Sequence, residues 1–142
     1  MAEKDSIVLT FDVDSDDFTR AGEASSRLKR TLKQMGLPPD IIRRISIVMY
    51  EGEINMVIQA HGGKITVTVD DDAVTMVLAD IGPGIPDVEK AMQAGWSTAS
   101  EAVRQQGFGA GMGLPNMKKN ADTLEIDTVV GVGTTVTAVV RL

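Results

Sequence analysis

Residues 64–86, KITVTVDDDAVTMVLADIGPGIP, form the stretch that decides the fold of this chain. Apolar and polar side chains alternate over residues 64–69, and residues 74–79 form a second run rich in apolar and β-branched side chains. Each run predicts a β-strand, and the acidic turn at residues 70–72 joins the two. Glycines and prolines at positions 80–86 then end the second strand with a tight turn. The stretch therefore predicts two successive strands followed by a glycine-rich turn.

Helices and further strands extend from this pair in both directions. Alternating side chains predict a strand at residues 6–13, and a helix then runs from Asp16 or Asp17 to about Met35, where Gly36 ends it. A second helix spans about residues 41–60. The later elements are a short helix near residues 87–94, a Gly-rich segment at about 95–113, a helix near 114–121, and strands at 123–129 and 134–141. Because consecutive strands come in pairs, we expect an α+β fold, a two-layer α/β sandwich with a mixed or antiparallel sheet and helices on one face.

Length and composition limit the class of protein to which this chain can belong. A chain of 142 residues favours one domain, and 43% hydrophobic with 24% charged residues is typical of a globular protein. The net charge of −6 disfavours general binding to nucleic acid or to an anionic membrane, because phosphate polyanions repel it. The lack of cysteine excludes disulfides and cysteine nucleophiles, and a single histidine excludes a multi-histidine metal site. No apolar run approaches the roughly 18 residues that span a membrane, so we expect a cytoplasmic protein without membrane or direct nucleic-acid partners.

The second helix carries a polar pair beside apolar surface. The helical period gathers on one face the residues predicted to pack on the sheet, namely Ile42, Ile45, Val48, Met49, Gly52 and Met56. Glu51 and Asn55 lie one turn apart on a neighbouring face that also carries Ile47 and Ile58. Such a pair is costly beside apolar surface unless it holds a ligand, although a solvated edge or a capping pair is the alternative. Glu53 points roughly opposite Asn55, and we expect it to be solvated.

Two glycine-rich segments offer backbone groups to a ligand. In DIGPGIP, residues 80–86, an Asp ends an apolar strand and the glycines admit a flat ligand close to the backbone, with an ordinary turn as the alternative. GFGAGMGL, residues 107–114, opens a helix, so its N–H groups and the helix N-terminus predict an anion site without basic side chains. A flexible linker is the alternative interpretation of this second segment. It matches neither a P-loop, which needs a Lys after its last glycine, nor a dinucleotide turn, which directly follows a strand.

The order of these motifs resembles that of the GHKL ATPase superfamily. EGEIN at residues 51–55 resembles the N-box ExxxN of that family, and DIGPG at 80–84 resembles its G1-box DxGxG. GAGMGL at 109–114 resembles the G2-box GxGxGL, and GTT at 133–135 resembles the terminal GTT. The resemblance implies the Bergerat ATP-binding fold, a single histidine-kinase-like ATPase domain over residues 1–142, and ATP with Mg²⁺ as cofactors.

The resemblance also implies roles for individual residues. Glu51 corresponds to the general base, Asn55 to the ligand of a Mg²⁺ that bridges the phosphates, and Asp80 to the acceptor of the adenine amino group. The other implied nucleotide-binding residues are Gly82, Gly84 and Ile85 around the adenine ring, Thr134 at the polar end of its pocket, and Gly109, Gly111, Met112, Gly113 and Leu114 at the phosphates. The stretch from Gly95 corresponds to a lid over the nucleotide.

Within the superfamily, GLPNMKK at residues 113–119 and GVGTTV at 131–136 are similar to bacterial anti-sigma factors and switch serine-protein kinases. This implies a regulatory serine/threonine kinase that transfers the ATP γ-phosphate to a Ser or Thr of an anti-sigma-antagonist-like protein. A sigma factor is a further candidate partner, and a homodimer is a candidate assembly. Two alternatives stay open: a non-catalytic, nucleotide-gated protein-binding module, and a detached histidine-kinase catalytic domain. The sequence disfavours the latter, because we expect no phosphoacceptor segment before the domain and expect His61 to cap the second helix.

Overall fold

The structure, a computed structural model, describes residues 6–14, 21–58, 60–85, 88, 92 and 113–142. Its elements in chain order are β1 (Ile7–Val13), α1 (Glu23–Gln34), α2 (Pro39–Ile58), β2 (Gly63–Val69), β3 (Ala73–Asp80), α3 (Gly113–Asn120), β4 (Thr123–Val129) and β5 (Gly133–Arg141). These bounds confirm the predicted strands and the second helix to within a few residues. The helix expected near residues 87–94 and the Gly-rich segment at about 95–113 fall almost entirely outside the described residues.

The five strands form one sheet in the order β1-β2-β3-β5-β4. Every neighbouring pair is antiparallel, so the sheet is antiparallel rather than mixed. At one end of the β2–β3 hairpin Val69 faces Val74, and at the other end Gly63 faces Asp80. Strand β5 lies on the other side of β3, where Ala79 pairs with Thr135. The end of β3 that carries Asp80 therefore lies between the first residues of β2 and those of β5.

One face of the sheet packs against the helices. The largest fully buried side chains come from alternate strand positions and from one face of each helix, and they are Leu28, Leu32, Ile45, Val48, Met49, Ile65, Val67, Val74, Met76, Met117 and Val140. The strand residues between them, such as Thr66, Thr75 and Thr137, are half-buried on the opposite face. This arrangement confirms the two-layer α/β sandwich expected from the sequence.

Helix α1 begins at Glu23 rather than at Asp16 or Asp17. Residues 15–20, which include both expected caps, lie outside the described residues. The prediction of one continuous helix across this region is wrong, because Gly22 has a left-handed φ of 94° that an α-helix cannot contain. In the part of the chain that the structure describes, no helix has both the length and the apolar composition needed to cross a bilayer.

Glu53, in the middle of α2, caps the start of α1. Gly22 precedes that helix without a side-chain cap. The Glu53 carboxylate instead accepts hydrogen bonds from the backbone N–H of Ala24 at 3.1 Å, the N–H of Ser25 at 3.0 Å and the Ser25 hydroxyl at 2.8 Å. Only 3% of Glu53 is exposed, so the prediction that it is solvated is wrong. An anion is favourable there because the first N–H groups of a helix lack partners within it and carry positive partial charge.

Helix α2 approaches the sheet closely at Gly52. A Cβ at this position would overlap the side chain of Leu78 in β3 and lie 3.2 Å from the Met117 side chain in α3. The other residues predicted for this face are buried, which confirms that it packs on the sheet: Ile42, Ile45, Val48, Met49 and Met56. With that face occupied, Glu51 and Asn55 lie on the side of α2 that meets α3.

Arg44 of α2 holds the carboxyl end of α3. Its Nε donates a hydrogen bond to the Asn120 carbonyl at 3.0 Å, and its guanidinium lies 3.3 Å from the Asp122 carboxylate. The backbone N–H of Arg141 donates to the same carboxylate at 2.6 Å. That bond, assisted by Arg44, keeps the pKa of Asp122 below its usual value although desolvation opposes it. These contacts set the position of α3 along α2, and hence the position of its first turn.

Candidate functional site

Asn55 meets the first residue of α3. A Cβ on Gly113 would lie 2.8 Å from Asn55 Nδ2 and 3.1 Å from its Oδ1, so a side chain at residue 113 would press on the amide. Leu114, the next residue, is buried in the core and anchors this end of the helix. The Asn55 amide therefore lies beside a helix N-terminus, where unsatisfied N–H groups favour a bound anion.

Glu51 lies one turn before Asn55 and contacts the same helix further along. Burial raises the pKa of the half-buried Glu51 carboxyl, and a hydrogen bond with the Asn116 side chain opposes this rise. An amide N–H donates a stronger hydrogen bond to an ionised carboxylate than to a neutral carboxyl. Asn116 therefore favours the ionised form of Glu51. The result is a carboxylate that is partly withdrawn from water and directed at the first turn of α3.

Asp80 ends β3 and holds the start of β5. Its Oδ1 accepts a hydrogen bond from the Thr134 backbone N–H at 2.9 Å. Burial raises the pKa of Asp80, and this hydrogen bond opposes the rise. A carboxylate accepts about four hydrogen bonds, so Asp80 keeps the capacity to accept one from a ligand.

Two threonine hydroxyls extend the polar group around Asp80. The Oγ atoms of Thr128 and Thr134 lie 2.9 Å apart, and Thr128 Oγ1 also accepts a hydrogen bond from the Ile85 N–H at 2.8 Å. Thr134 is buried. The glycine-rich turn that contains Ile85 is thus tied to β4 and, through Thr134, to β5.

The turn itself packs against the hairpin between β4 and β5. The Gly82 N–H donates to the Val132 carbonyl at 3.1 Å, and the Gly131 N–H donates to the Pro83 carbonyl at 2.8 Å. Gly84 lies against the backbone of Val129, where an added Cβ would come within 2.7 Å of the carbonyl oxygen. Little space therefore separates Gly82 and Gly84 from their neighbours, and a Cβ on Gly82 would lie 3.7 Å from Asp80 Oδ1.

The end of α2 joins these two groups of residues. The His61 N–H donates to the Ile81 carbonyl at 2.6 Å, and Gly82 lies against Ala60. His61 is exposed, and it is the Gly62 N–H that donates to the Met56 carbonyl near the end of the helix. The described residues thus bring Glu51, Asn55, Gly113 and Leu114 to one side of this junction and Asp80, Gly82, Gly84, Ile85 and Thr134 to the other. Gly109, Gly111 and Met112 lie outside the described residues.

Two polar residues of this site, Asn116 and Thr128, were not predicted from the sequence. Asn116 follows Gly113 by three positions, so helical spacing alone places both near one face of α3. Thr128 gave no comparable signal, because its role depends on the pairing of β4 with β5, in which it faces Thr134.

Comparison with known proteins agrees with the motif order. The histidine kinase-like ATPase domain matches residues 15–140 of the chain. The serine/threonine-protein kinase RsbT of Bacillus subtilis is 31% identical over 121 residues, which cover 82% of this chain and 85% of that protein. An anti-sigma F factor of Caldanaerobacter subterraneus is 36% identical over 100 residues, 67% of this chain and 66% of that protein. An anti-sigma F factor of Bacillus licheniformis is 31% identical over 111 residues, 74% of this chain and 73% of that protein. The match over residues 15–140, together with the fold and the order of the motifs, shows that this chain belongs to the histidine kinase-like ATPase domain family.

Proposed function

We propose that this protein is an ATP- and Mg²⁺-dependent serine/threonine protein kinase that phosphorylates a partner regulatory protein. The observation that carries the proposal is the position of the Glu51 carboxylate, one turn from Asn55, with both side chains against the first turn of α3. A proton acceptor thereby lies next to a group of N–H donors suited to phosphate. The similarity to a protein named as a serine/threonine kinase supports the same activity.

The Asp80 side of the site suits adenine. Burial raises the pKa of the Asp80 carboxyl, and the hydrogen bond from the Thr134 N–H opposes that rise. The carboxylate would accept a hydrogen bond from the exocyclic amino group of the base. Gly82, Gly84 and Ile85 would lie around the ring, and the buried Thr134 would close the polar end of the pocket. A half-buried acceptor of this kind discriminates in favour of a base that donates at that position.

The Asn55 side of the site suits the phosphates and Mg²⁺. The amide oxygen of Asn55 is a hard ligand of the type that Mg²⁺ takes, and this ion commonly keeps waters and phosphate oxygens as its other ligands. When bound, the ion would neutralise charge on the phosphates. The N–H groups of Gly113 and Leu114 start α3 beside Asn55, and we assign Gly109, Gly111 and Met112 to the same phosphate-binding loop.

Glu51 would act as the general base. It takes the proton of the acceptor hydroxyl as that oxygen attacks the γ-phosphorus, the bond to the bridging oxygen breaks, and ADP leaves. A carboxyl whose pKa is raised by burial is a stronger base than an exposed one. Asn116 would orient the carboxylate toward the acceptor.

The names of the relatives support a proposal for the kind of partner. Because these relatives carry the names of a serine/threonine kinase and of anti-sigma F factors, we assign an anti-sigma-antagonist-like protein as substrate and a sigma factor as a second partner. The proposal includes a single catalytic domain over residues 1–142, which acts in the cytoplasm where ATP is available and which assembles as a homodimer.

Phosphoryl transfer from radiolabelled ATP to the purified proteins encoded by adjacent genes tests this function. We expect an acid-stable label on a Ser or Thr, and we expect Glu51→Gln to slow transfer about 10²–10⁴-fold while ATP affinity changes little. Asn55→Ala should weaken Mg²⁺-dependent ATP binding and transfer together. Glu125→Gln, an exposed change on β4, is the matched control.

Three results would redirect the assignment. ATP binding without transfer to any of these proteins indicates the non-catalytic binding module. An acid-labile label indicates histidine phosphorylation and a histidine-kinase catalytic domain. Full transfer by Glu51→Gln shows that Glu51 is not the base.

A further inference from the structure

A groove between α1 and α2 runs up to Glu51 from the outer surface of the helical layer. Its volume is about 760 Å³, and its walls include Lys29 and Lys33 from α1 and Arg43, Ile47 and Glu51 from α2. The Asn55 side of Glu51 meets α3, whereas this groove opens on its other side. A molecule in the groove would therefore reach Glu51 from the side away from Asn55, without crossing the nucleotide region.

The rim of the groove is cationic although the whole chain is acidic. Lys29, Lys33 and Arg43 are exposed along it, whereas the net charge of the protein is −6. Arg43 lies 3.8 Å from Asp40, but both side chains are largely exposed, so water and salt weaken that pair. The local charge therefore favours an anionic occupant against the average field of the molecule.

The floor of the groove is apolar and includes one unsatisfied hydroxyl. Ile42 is buried beneath it, Ile47 is half-buried, and Tyr50 is 41% exposed at its edge. The Ser46 hydroxyl is buried and has no hydrogen-bond partner among the described residues. An adjoining cavity of about 540 Å³, whose lining includes Glu23, Lys29, Ser46 and Tyr50, extends the groove past the start of α1. A buried hydroxyl without a partner is costly, and a polypeptide occupant with backbone donors and acceptors can supply one.

We propose that this α1–α2 groove docks an acidic segment of the protein substrate, with the acceptor hydroxyl at its Glu51 end. This inference rests on the proposed kinase function, since it uses Glu51 as the base. Apolar side chains of the segment lie on Ile47 and Tyr50, and its carboxylates lie near Lys29 and Lys33. The groove thereby selects the substrate before the hydroxyl reaches the nucleotide, and it accounts for a basic rim on an acidic protein.

Binding of two labelled peptides to the full chain tests the groove directly. The peptides have equal length and a central serine, with Asp and Glu on both sides in one and Lys and Arg in the other. Fluorescence anisotropy without nucleotide should show tighter binding of the acidic peptide. The double variant Lys29→Glu/Lys33→Glu should weaken it by about tenfold or more, because like charges replace complementary ones. Arg30→Glu is the matched control, since Arg30 is an exposed cation of the same helix outside the groove lining.

Each outcome supports the groove or overturns it. Equal binding of both peptides, an unchanged preference in Lys29→Glu/Lys33→Glu, or an equal loss in Arg30→Glu contradicts it. Tighter binding of a single-stranded oligonucleotide than of the acidic peptide also contradicts it. The melting temperature and ATP binding of the double variant should match those of the parent, which separates docking from folding. If the groove binds the acidic peptide but no protein is ever phosphorylated, the kinase proposal fails while docking stands.

Discussion

Glu51 and Asn116 form the contact on which the pH dependence of the proposed reaction depends. Burial raises the pKa of Glu51, and the Asn116 amide limits the rise. Asn116→Ala removes that limit, so the pKa of Glu51 should rise further. Because the base is active when ionised, the fall in the transfer rate on acidification should then move to higher pH. Rate profiles measured from pH 5 to 8 check this, with Lys118→Ala, an exposed change on the same helix, as the control.

In the proposed mechanism Asn116 acts through Glu51 as a positioning residue, so the shape of the profile distinguishes this role from a structural one. A variant that only loosened α3 would lower the rate equally at all pH values. The same midpoint in Asn116→Ala and the parent would show that the amide does not tune Glu51.

Burial of the Asp80 carboxylate should lower the stability of the ligand-free protein at neutral pH. Its pKa is raised in the folded state by burial, so its contribution to stability is present at low pH and is lost as the pH rises through the folded-state pKa. At pH 7 Asp80→Asn should therefore melt at a higher temperature than the parent, and this gain should shrink as the pH falls through the raised pKa of Asp80 towards the usual pKa of an Asp carboxyl. The same change should weaken ATP binding about tenfold or more, because the ligand loses a charged acceptor. Thermal melts between pH 3 and 8 provide the measurement, with Asp127→Asn on β4 as the control. A lower melting temperature at pH 7 with unchanged ATP affinity would contradict both parts.

At the scale of elements, the junction of α1 and α2 depends on Glu53. Its carboxylate accepts three hydrogen bonds at the start of α1. Glu53→Gln replaces charged acceptors with one neutral oxygen and leaves a buried donor without a partner. We expect the free energy of unfolding to fall by about 1–3 kcal/mol. Urea denaturation measures this, and Glu125→Gln, at an exposed position, should change it little. Equal stability of Glu53→Gln and the parent would mean that the cap contributes nothing net.

The approach of α2 to β3 is a second property of the elements. Gly52→Ala should raise helix propensity by as much as about 1 kcal/mol, yet its Cβ would overlap Leu78, which is 2% exposed. We expect net destabilisation, since overpacking a core typically costs about 1–3 kcal/mol. The double variant Gly52→Ala/Leu78→Val, which removes the overlapping methyl group, should recover part of the loss in urea denaturation. If the loss of stability in the double variant equals the sum of the losses in Gly52→Ala and Leu78→Val, steric overlap is not the cause.

At the scale of the whole molecule, the proposed nucleotide site joins α2, β3, β5 and α3, so a bound nucleotide should stabilise the fold as a unit. MgATP at about 100 times its Kd should add about 2.7 kcal/mol to the free energy of unfolding. MgGTP should add much less, because guanine presents an acceptor where adenine presents the amino group that Asp80 would bind. Thermal melts with each nucleotide at equal concentration test this. Equal shifts in melting temperature with MgATP and MgGTP would show that Asp80 does not distinguish adenine from guanine.

Local patterns in the sequence were enough to predict the helices, the strands and the order of the site motifs. Strands β2 and β3 and the glycine-rich turn after Asp80 follow from residues 64–86, because side-chain alternation and turn chemistry act within a few residues. The same holds for the buried face of α2, and for Glu51 and Asn55 beside it, since helical period sets which residues share a face. The motif order identified the family, which the match over residues 15–140 confirms.

How those faces meet depends on tertiary packing and could not be predicted from these patterns. Glu53 lies 28 residues from Ser25 in the sequence. Helical spacing alone predicts that it is solvated, whereas in the folded protein the start of α1 packs against it. Asn116 belongs to the site because α3 packs along α2, and the basic groove exists only because α1 lies beside the other side of α2. Periodicity describes each helix alone, whereas burial and hydrogen bonding depend on which other element covers a face, and that is set by long-range packing.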